Sequence, residues 1–523
     1  MQNPSVAARP IESLDPATGE VIARIEPASP EQLPQIVAEA RLAQRDWASV
    51  SLRERCKYVR RLGDVIFRKR KELAELISLE TGKPITESLL GEILIALESV
   101  RYQTRIAPRE LAPKCVSHSN PAVRAKSGYL LYEPYGVVGI VSPWNFPLAI
   151  PMAQMVPAVL AGNAVVLKPS PFTAAVGAAI GQLFLDAGFP PKLVQVAQGG
   201  GDVGAALVDA RPDKIIFTGS VETGRKIAGA CAGLLIPCVL ELGGKDAMIV
   251  LVDADLDVAS SAAVWGAFQN CGQACVSAER VYVESSVAGK FAALCAEKAG
   301  RLRLGGSRNP NVEIGPMIRA SRRDFVEEQL NDAVARGAKI ISGGRRRADL
   351  GASFLEPTVI TGVNHTMRLM REETFGPVLA IQEVANAEEA VRLANDSEFG
   401  LAASVWTMDA ALGREIAAQL RAGAVMVNDI ASYFGIAEAP HGGRGSSGWG
   451  RTHSRLGLLE MVQVKYVDVD GLPRWPKPWW YGYSAELNAA ADSFIAWMYA
   501  PRWTERWRNA WGALGTVFRR GRV

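Results

Sequence analysis

The sequence predicts an α/β fold built on parallel sheets, and three observations carry that expectation. Short, β-branched runs recur at Val137-Val138-Gly139-Ile140-Val141, Ala164-Val165-Val166-Leu167, Lys214-Ile215-Ile216-Phe217 and Ala247-Met248-Ile249-Val250-Leu251. Alanine-rich helical stretches lie between them, at about 172–187 and 202–209. The alternation then resumes with Val281-Tyr282-Val283, helical stretches near 286–301 and 322–336, and Lys339-Ile340-Ile341. Buried strands alternating with helices make βαβ units and hence a parallel sheet, and the resumption implies a second α/β domain. Upstream, Ile36, Val37, Ala40 and Trp47 recur at helical spacing, as do Leu62, Ile66, Leu73 and Leu76, so 31–79 reads as helix. A second helical stretch covers about 86–107.

The chain has 523 residues, enough for two to four domains, and a charged fraction of 21% is ordinary for a globular protein. Its seven cysteines are scattered, with no CxxC pair and no histidine cluster beside them. Neither a disulfide scaffold nor a metal site is expected. The first residues, MQNPSVAARPIESLDPATGE, lack the apolar run of a signal peptide, so a reducing cytoplasm is the expected location. No run of apolar residues reaches the ~20 needed to span a membrane. No nucleic-acid partner is expected.

Only four histidines occur, at 118, 365, 441 and 453, and none lies in the glycine-rich motifs around Cys275 or Glu241. All four read as structural, which leaves acid–base work to carboxylates. Cys275 closes the run Gly272-Gln273-Ala274-Cys275, and Glu241 opens Glu241-Leu242-Gly243-Gly244-Lys245. Glycine lets the backbone approach a bound reactant. A thiol and a carboxylate in such settings suggest a nucleophile and its base, acting on a carbonyl carbon. Cys271 reads as a packing residue. Phe217-Thr218-Gly219-Ser220-Val221-Glu222-Thr223-Gly224 leaves a strand and opens a helix. That turn is either a dinucleotide pyrophosphate site or a tight βα connection. Lys168 ends another strand, where it either meets ribose hydroxyls or a phosphate or is simply solvated. In Pro143-Trp144-Asn145-Phe146-Pro147, Asn145 is either an oxyanion donor or a turn former. Glu373 and Phe375, in Glu372-Glu373-Thr374-Phe375-Gly376-Pro377, either meet a ribose and a nicotinamide face or form a charged loop with a core phenylalanine.

Taken together, PWNFP (143–147), LKPS (167–170), FTGS (217–220), ELGGK (241–245), GQAC (272–275), EETFGP (372–377) and the glycine-rich stretch from Pro440 through Gly450 resemble the aldehyde dehydrogenase superfamily over about 10–470. The resemblance implies a Rossmann-type cofactor domain (1–117 and 138–241) and an α/β catalytic domain (242–455). It also implies a small β oligomerisation arm (118–137 and 456–470), and hence a homodimer or homotetramer. It assigns Cys275 as nucleophile, Glu241 as general base, and Asn145 with the Cys275 N–H as oxyanion hole. Trp144, Lys168, Gly219, Ser220 and Gly224 would meet the adenosine and pyrophosphate half of NAD, and Glu373 and Phe375 the nicotinamide half. The implied reaction oxidises an aldehyde to its acid through a thiohemiacetal and a thioester. Glu241 favours hydrolysis over transfer to coenzyme A; an acylating enzyme and a non-catalytic relative are the alternatives.

Three departures matter. Pro171 stands where many NAD-preferring relatives carry an acid, so NADP is an alternative to the favoured NAD. Ala153 replaces a bulky tunnel tryptophan, which implies a medium-chain, long-chain or aromatic aldehyde. Thr452 stands where many relatives carry a second acid. Beyond 470 the chain changes character. Residues 471–523 hold eight Lys/Arg against three Asp/Glu, and seven of the twelve tryptophans. Leu487, Ala491, Phe494, Ile495 and Met498 share one helical face, and Trp503, Trp507 and Trp511 form a stripe beside Arg502, Arg506 and Arg508. Such a tail fits docking on a neighbouring subunit, where it could cover the substrate tunnel, or contact with a membrane surface.

Overall fold

A computed structural model describes residues 9–475, 477 and 479–518, with side chains described as far as 513. The start of the chain and the tail arginines Arg519, Arg520 and Arg522 lie outside the described residues.

Two large sheets carry the fold. The first has six strands in the order Gly448–Trp449, Cys238–Glu241, Lys214–Thr218, Val137–Val141, Ala164–Lys168, Val194–Val196. All its pairings are parallel except that of Gly448–Trp449. The second has seven strands in the order Lys339–Ser342, Thr358–Thr361, Val378–Val384, Ala278–Glu284, Asp246–Val250, Ala402–Trp406, Ala424–Val427. Only the edge strand Lys339–Ser342 runs antiparallel. The central strands are buried along their whole length, as strands covered on both faces must be, which is why they read as continuous apolar runs. The chain passes from one sheet to the other through the short link between Glu241 and Asp246.

The long N-terminal helical stretch is two helices, Leu33–Ser49 and Leu52–Thr81. The break falls at Val50 and Ser51, where the Ser51 hydroxyl accepts the Glu54 N–H at 3.3 Å and caps the second helix. Gly82 closes that helix at φ +78°, a conformation that favours glycine.

Two compact units emerge. One comprises 1–111 and 133–463; the other comprises 112–132 and 464–523. In the second unit, strands Lys114–Val116 and Lys126–Pro134 pair antiparallel, and Val462–Asp470 joins them in a three-stranded sheet. Residues 456–459, expected to begin the arm, lie in the helix Ser454–Leu459, with Gly457 and Leu458 buried. The tail beyond 471 is two helices, Ala485–Tyr499 and Trp503–Phe518, packed on one another.

A buried ion pair holds one edge of the first unit in place. A π-helical turn, Leu89–Ile93, carries Glu92 inward, and such turns often re-aim a residue at a functional site. Lys83 and Glu92 are both fully buried and meet at 2.7 Å. Lys83 also donates to the Asn145 carbonyl at 2.6 Å, and Glu92 accepts the N–H groups of Leu148 at 3.0 Å and Ala149 at 2.8 Å. Every charge and lone pair thus has a partner, which is the condition under which a buried pair is tolerated. Replacing one partner, Lys83→Met or Glu92→Leu, is expected to cost ~3–5 kcal/mol by stranding the other charge, whereas the double replacement costs less than either single one. Denaturant unfolding of the three variants checks this, and a strictly additive double variant would contradict it.

Candidate active site

The carboxyl ends of the first sheet's strands open on a cavity of about 770 Å³. In an open parallel sheet this edge is where backbone donors and helix N-termini converge. The cavity wall brings together Trp144, Asn145, Lys168, Gly219, Ser220, Glu241, Cys275, Glu373 and Phe375, residues drawn from six separate stretches of sequence. Gly224 is not on the wall. It sits in the first turn of helix Val221–Leu234, where an added Cβ would lie 2.4 Å from the Leu242 side chain, so its glycine lets that helix pack closely.

Cys275 follows a turn of unusual handedness. Asn270, Cys271 and Gly272 have φ of +52°, +57° and +71°. Two of the three are not glycine, and such strain persists only where the surroundings enforce it. Here the Asn270 N–H donates to Glu87 at 2.8 Å, and the Asn270 and Asn145 amides both donate to the Gln273 carbonyl at 3.1 Å. The Asn270 amide also donates to the Asn145 carbonyl at 3.0 Å. The Asn145 loop and the cysteine loop are therefore one hydrogen-bonded body. Burial, and then the carboxylates Asp246, Glu241 and Glu373, push the Cys275 thiol far above its ordinary range. A thiol raised in this way favours its protonated form, so an attack through sulfur would call for a proton acceptor.

Glu241 ends strand Cys238–Glu241 and is almost wholly buried. One carboxylate oxygen accepts the Thr452 hydroxyl. The other accepts the Thr218 hydroxyl at 3.1 Å and the Gln154 amide at 3.3 Å. Burial raises its pKa above the usual carboxylate range, and the Thr452, Thr218 and Gln154 donors oppose that rise. Glu373 is pushed up to about 7 by burial and the nearby Glu279, against the pull of the Gly244 N–H, which it accepts at 3.1 Å. Lys168, where it lines the cavity, is lowered to about 8 by burial. Ser220 caps the helix Val221–Leu234, its hydroxyl accepting the Thr223 N–H at 3.4 Å. Phe375, held at φ +50°, meets the Trp144 ring edge-on at 5.5 Å.

Several supporting groups escape sequence reading. Lys245 donates to the Thr374 hydroxyl at 2.9 Å and pairs with Glu279, which in turn accepts the N–H groups of Thr374 at 2.8 Å and Phe375 at 3.1 Å. That anchors the loop bearing Glu373 and Phe375. His441, read from sequence as structural, reaches the cavity wall, and its Nδ1 lies 3.0 Å from the Tyr433 hydroxyl. Burial lowers it to about 4 and His453 to about 3, so both rings are neutral at pH 7. The Nδ1 of His453 lies 3.2 Å from the Thr452 hydroxyl. Ala153 is buried inside helix Ala149–Ala161 rather than on the cavity wall. The apolar cluster beside Asn145 is instead Ile95, Ala149, Ile150 and Phe434, with Phe146 packed against it.

Residues 3–467 match the aldehyde dehydrogenase family. A Methylomonas protein named 4,4'-diapolycopene aldehyde oxidase is 38% identical over 526 residues, covering 95% of this chain and 97% of its own. A Mycolicibacterium smegmatis protein, "Putative succinate-semialdehyde dehydrogenase", NADP(+)-dependent by its name, is 40% identical over 461 residues and covers 88% of each chain. Among solved structures, the NAD+ complex of aldehyde dehydrogenase from Bacillus cereus superposes with a TM-score of 0.85 at 34% identity, covering 88% of this chain and 93% of that one. With the family matched over nearly its whole length, the chain belongs to the aldehyde dehydrogenase family.

Proposed function

We propose that this enzyme oxidises an apolar aldehyde to its carboxylic acid with NAD(P)+, using Cys275 as nucleophile and Glu241 as general base. The observation that carries this reading is the meeting of a thiol, a buried carboxylate and an amide donor on one cavity wall. The residues present also fit a nicotinamide dinucleotide. Lys168 is a nearly buried cation on the wall, and among the described residues its ammonium makes no hydrogen bond. The capped start of helix Val221–Leu234 offers backbone N–H groups to an anion. Trp144 and Phe375 supply aromatic surface, and Glu373 a carboxylate for a ribose diol. The relatives named for NADP(+) and solved with NAD+ support both forms of the cofactor.

The chain's own residues divide the chemistry. The Cys275 sulfur attacks the aldehyde carbon as its proton passes to a facing carboxylate. The Asn145 amide, already fixed by Gln273, donates to the developing oxyanion; a donor held in place beforehand contributes ~2.7–4 kcal/mol. A nicotinamide cofactor held by Lys168, the start of helix Val221–Leu234, Trp144, Phe375 and Glu373 would supply the hydride acceptor needed to take the sulfur-bound adduct to a thioester. Glu241 then takes a proton from water, which hydrolyses the thioester and frees the thiol. Its raised pKa suits that task, since a base works best near the operating pH. The Phe146, Ile150 and Phe434 cluster favours an apolar chain on the aldehyde, as does the Methylomonas relative. A panel of aliphatic and aromatic aldehydes with both cofactors tests the class, and a preference for short, charged aldehydes would refute it.

Three outcomes follow from these roles. Cys275→Ala is expected to abolish aldehyde-dependent cofactor reduction, and retained turnover would overturn the assignment. Glu241→Gln should still acylate, giving a burst of reduced cofactor equal to the enzyme present. Its steady rate should then fall at least ~100-fold, because general-base help is gone. Rapid-quench or stopped-flow absorbance separates burst from steady rate. Thr452→Val removes the largest hydrogen bond that favours ionised Glu241. The carboxyl must be ionised to act as base, so losing this donor raises its pKa. The acid limb of the kcat–pH profile should move to higher pH, with the alkaline plateau kept; an unmoved limb would mean Glu241 does not set it.

A further inference from the structure

The C-terminal helices take no part in the reaction above, yet they expose the most aromatic surface of the chain. Helix Trp503–Phe518 packs on helix Ala485–Tyr499 closely enough that a Cβ on Gly512 would lie 2.5 Å from the Ser493 hydroxyl. Ala513 is buried on that side. Trp503, Trp507 and Trp511 are 71%, 69% and 83% exposed. Residues four apart advance about 40° around a helix, so the three rings make one narrow stripe. On the same geometry Arg506 and Arg508 each lie about 60° outside the stripe, one on either flank, while Glu505 falls on the far side. Three large rings left in water need an occupant, since isolated soluble proteins rarely expose such a patch.

We propose that this face lies flat on an anionic lipid bilayer, with the three indoles at headgroup depth and the flanking arginines on lipid phosphates. Indole suits that depth because it is apolar with one polar N–H. The charge fits as well. Residues 471–523 carry eight Lys/Arg against three Asp/Glu, whereas the rest of the chain has fifty against fifty-one. The basic character is therefore confined to this tail. Among the described residues, no helix is long and apolar enough to cross a membrane, so the helix rests on the surface. A second copy of the chain is the competing occupant. A symmetric contact through this stripe would set Arg506 and Arg508 of one helix against those of the other, and like charges facing each other oppose association.

The similarity to the Methylomonas relative reaches into the extension. Residues 1–470 are 470 of 523, about 90% of the chain, so the Methylomonas alignment at 95% must run into the tail. The surface contact stands independently of the chemistry assigned to Cys275. It would bring the enzyme to the phase in which apolar aldehydes dissolve.

The test is co-sedimentation of the full chain with vesicles of phosphatidylcholine, with and without phosphatidylglycerol. The full chain should bind the anionic vesicles at least about tenfold more tightly than the neutral ones, and less tightly as salt rises. The triple variant Trp503→Ala, Trp507→Ala, Trp511→Ala should lose that binding while oxidising a short, soluble aldehyde as before, which also shows that it is folded. Arg506→Gln with Arg508→Gln should lose the preference for phosphatidylglycerol. Equal binding by wild type and triple variant overturns the proposal. So does an absence of vesicle binding, and a change of oligomeric state in the triple variant, seen by sedimentation velocity, would then assign the face to a second copy.

Discussion

The carbonyl oxygen of Cys275 lies 2.4 Å from where a Cβ on Gly244 would begin. No side chain can occupy that space, and the rest of the site is arranged around this backbone contact. Gly244 belongs to the link by which the chain leaves one sheet and enters the next. Its neighbour Gly243 is as constrained, since a Cβ there would meet the Glu373 carboxylate at 2.5 Å. The two glycines let the thiol loop, the base strand and the Glu373 loop converge. Gly272 repeats the arrangement on the other side of the thiol, against the Gly376 carbonyl at 2.1 Å. The chemistry is positioned by main chain meeting main chain, which varies far less than contact between flexible side chains.

That convergence concentrates negative charge. Glu241, Asp246, Glu279 and Glu373 are all drawn inward, and Lys245, Arg280 and Arg322 pull against them. Asp246 and Glu373 are held above the ordinary carboxylate range by burial and then by the nearby Glu279. A carboxylate-rich interior disfavours ionisation of the Cys275 thiol. The same charges would be a liability if water entered freely, because hydration would return each carboxylate to its usual pKa. The site's chemistry therefore depends on the packing of the two sheets as much as on the residues that react.

Much of this was legible in the sequence because it is written in local pattern. The apolar runs at 137–141, 164–168 and 214–218 announce strands buried on both faces, and the glycines at 243, 244 and 272 mark close approach. What was not legible depends on partners distant in sequence. Lys83 reads as an ordinary lysine until it is seen between Glu92 and the Asn145 carbonyl, sixty-two residues away. Thr452 reads as a missing acid, yet its hydroxyl serves Glu241 across 211 residues. Ala153, which the resemblance set beside a substrate tunnel, is buried within helix Ala149–Ala161. Spacing fixes which residues share a face and leaves open what that face meets.

The strand Gly448–Trp449 joins the sheet only by pairing with Leu240 and Glu241, and the Ser447 hydroxyl donates to the Gly243 carbonyl at 2.7 Å. During synthesis, the segment bearing Cys275 leaves the ribosome long before these closing residues do. Contacts that span so much sequence form late, because the loop between them must first be ordered. The nascent chain thus carries Cys275 while the sheet edge at Glu241 still lacks its closing strand, until some 450 residues have been made. A chain cut short by premature termination would hold Cys275 and Glu241 and lack the strand that borders them.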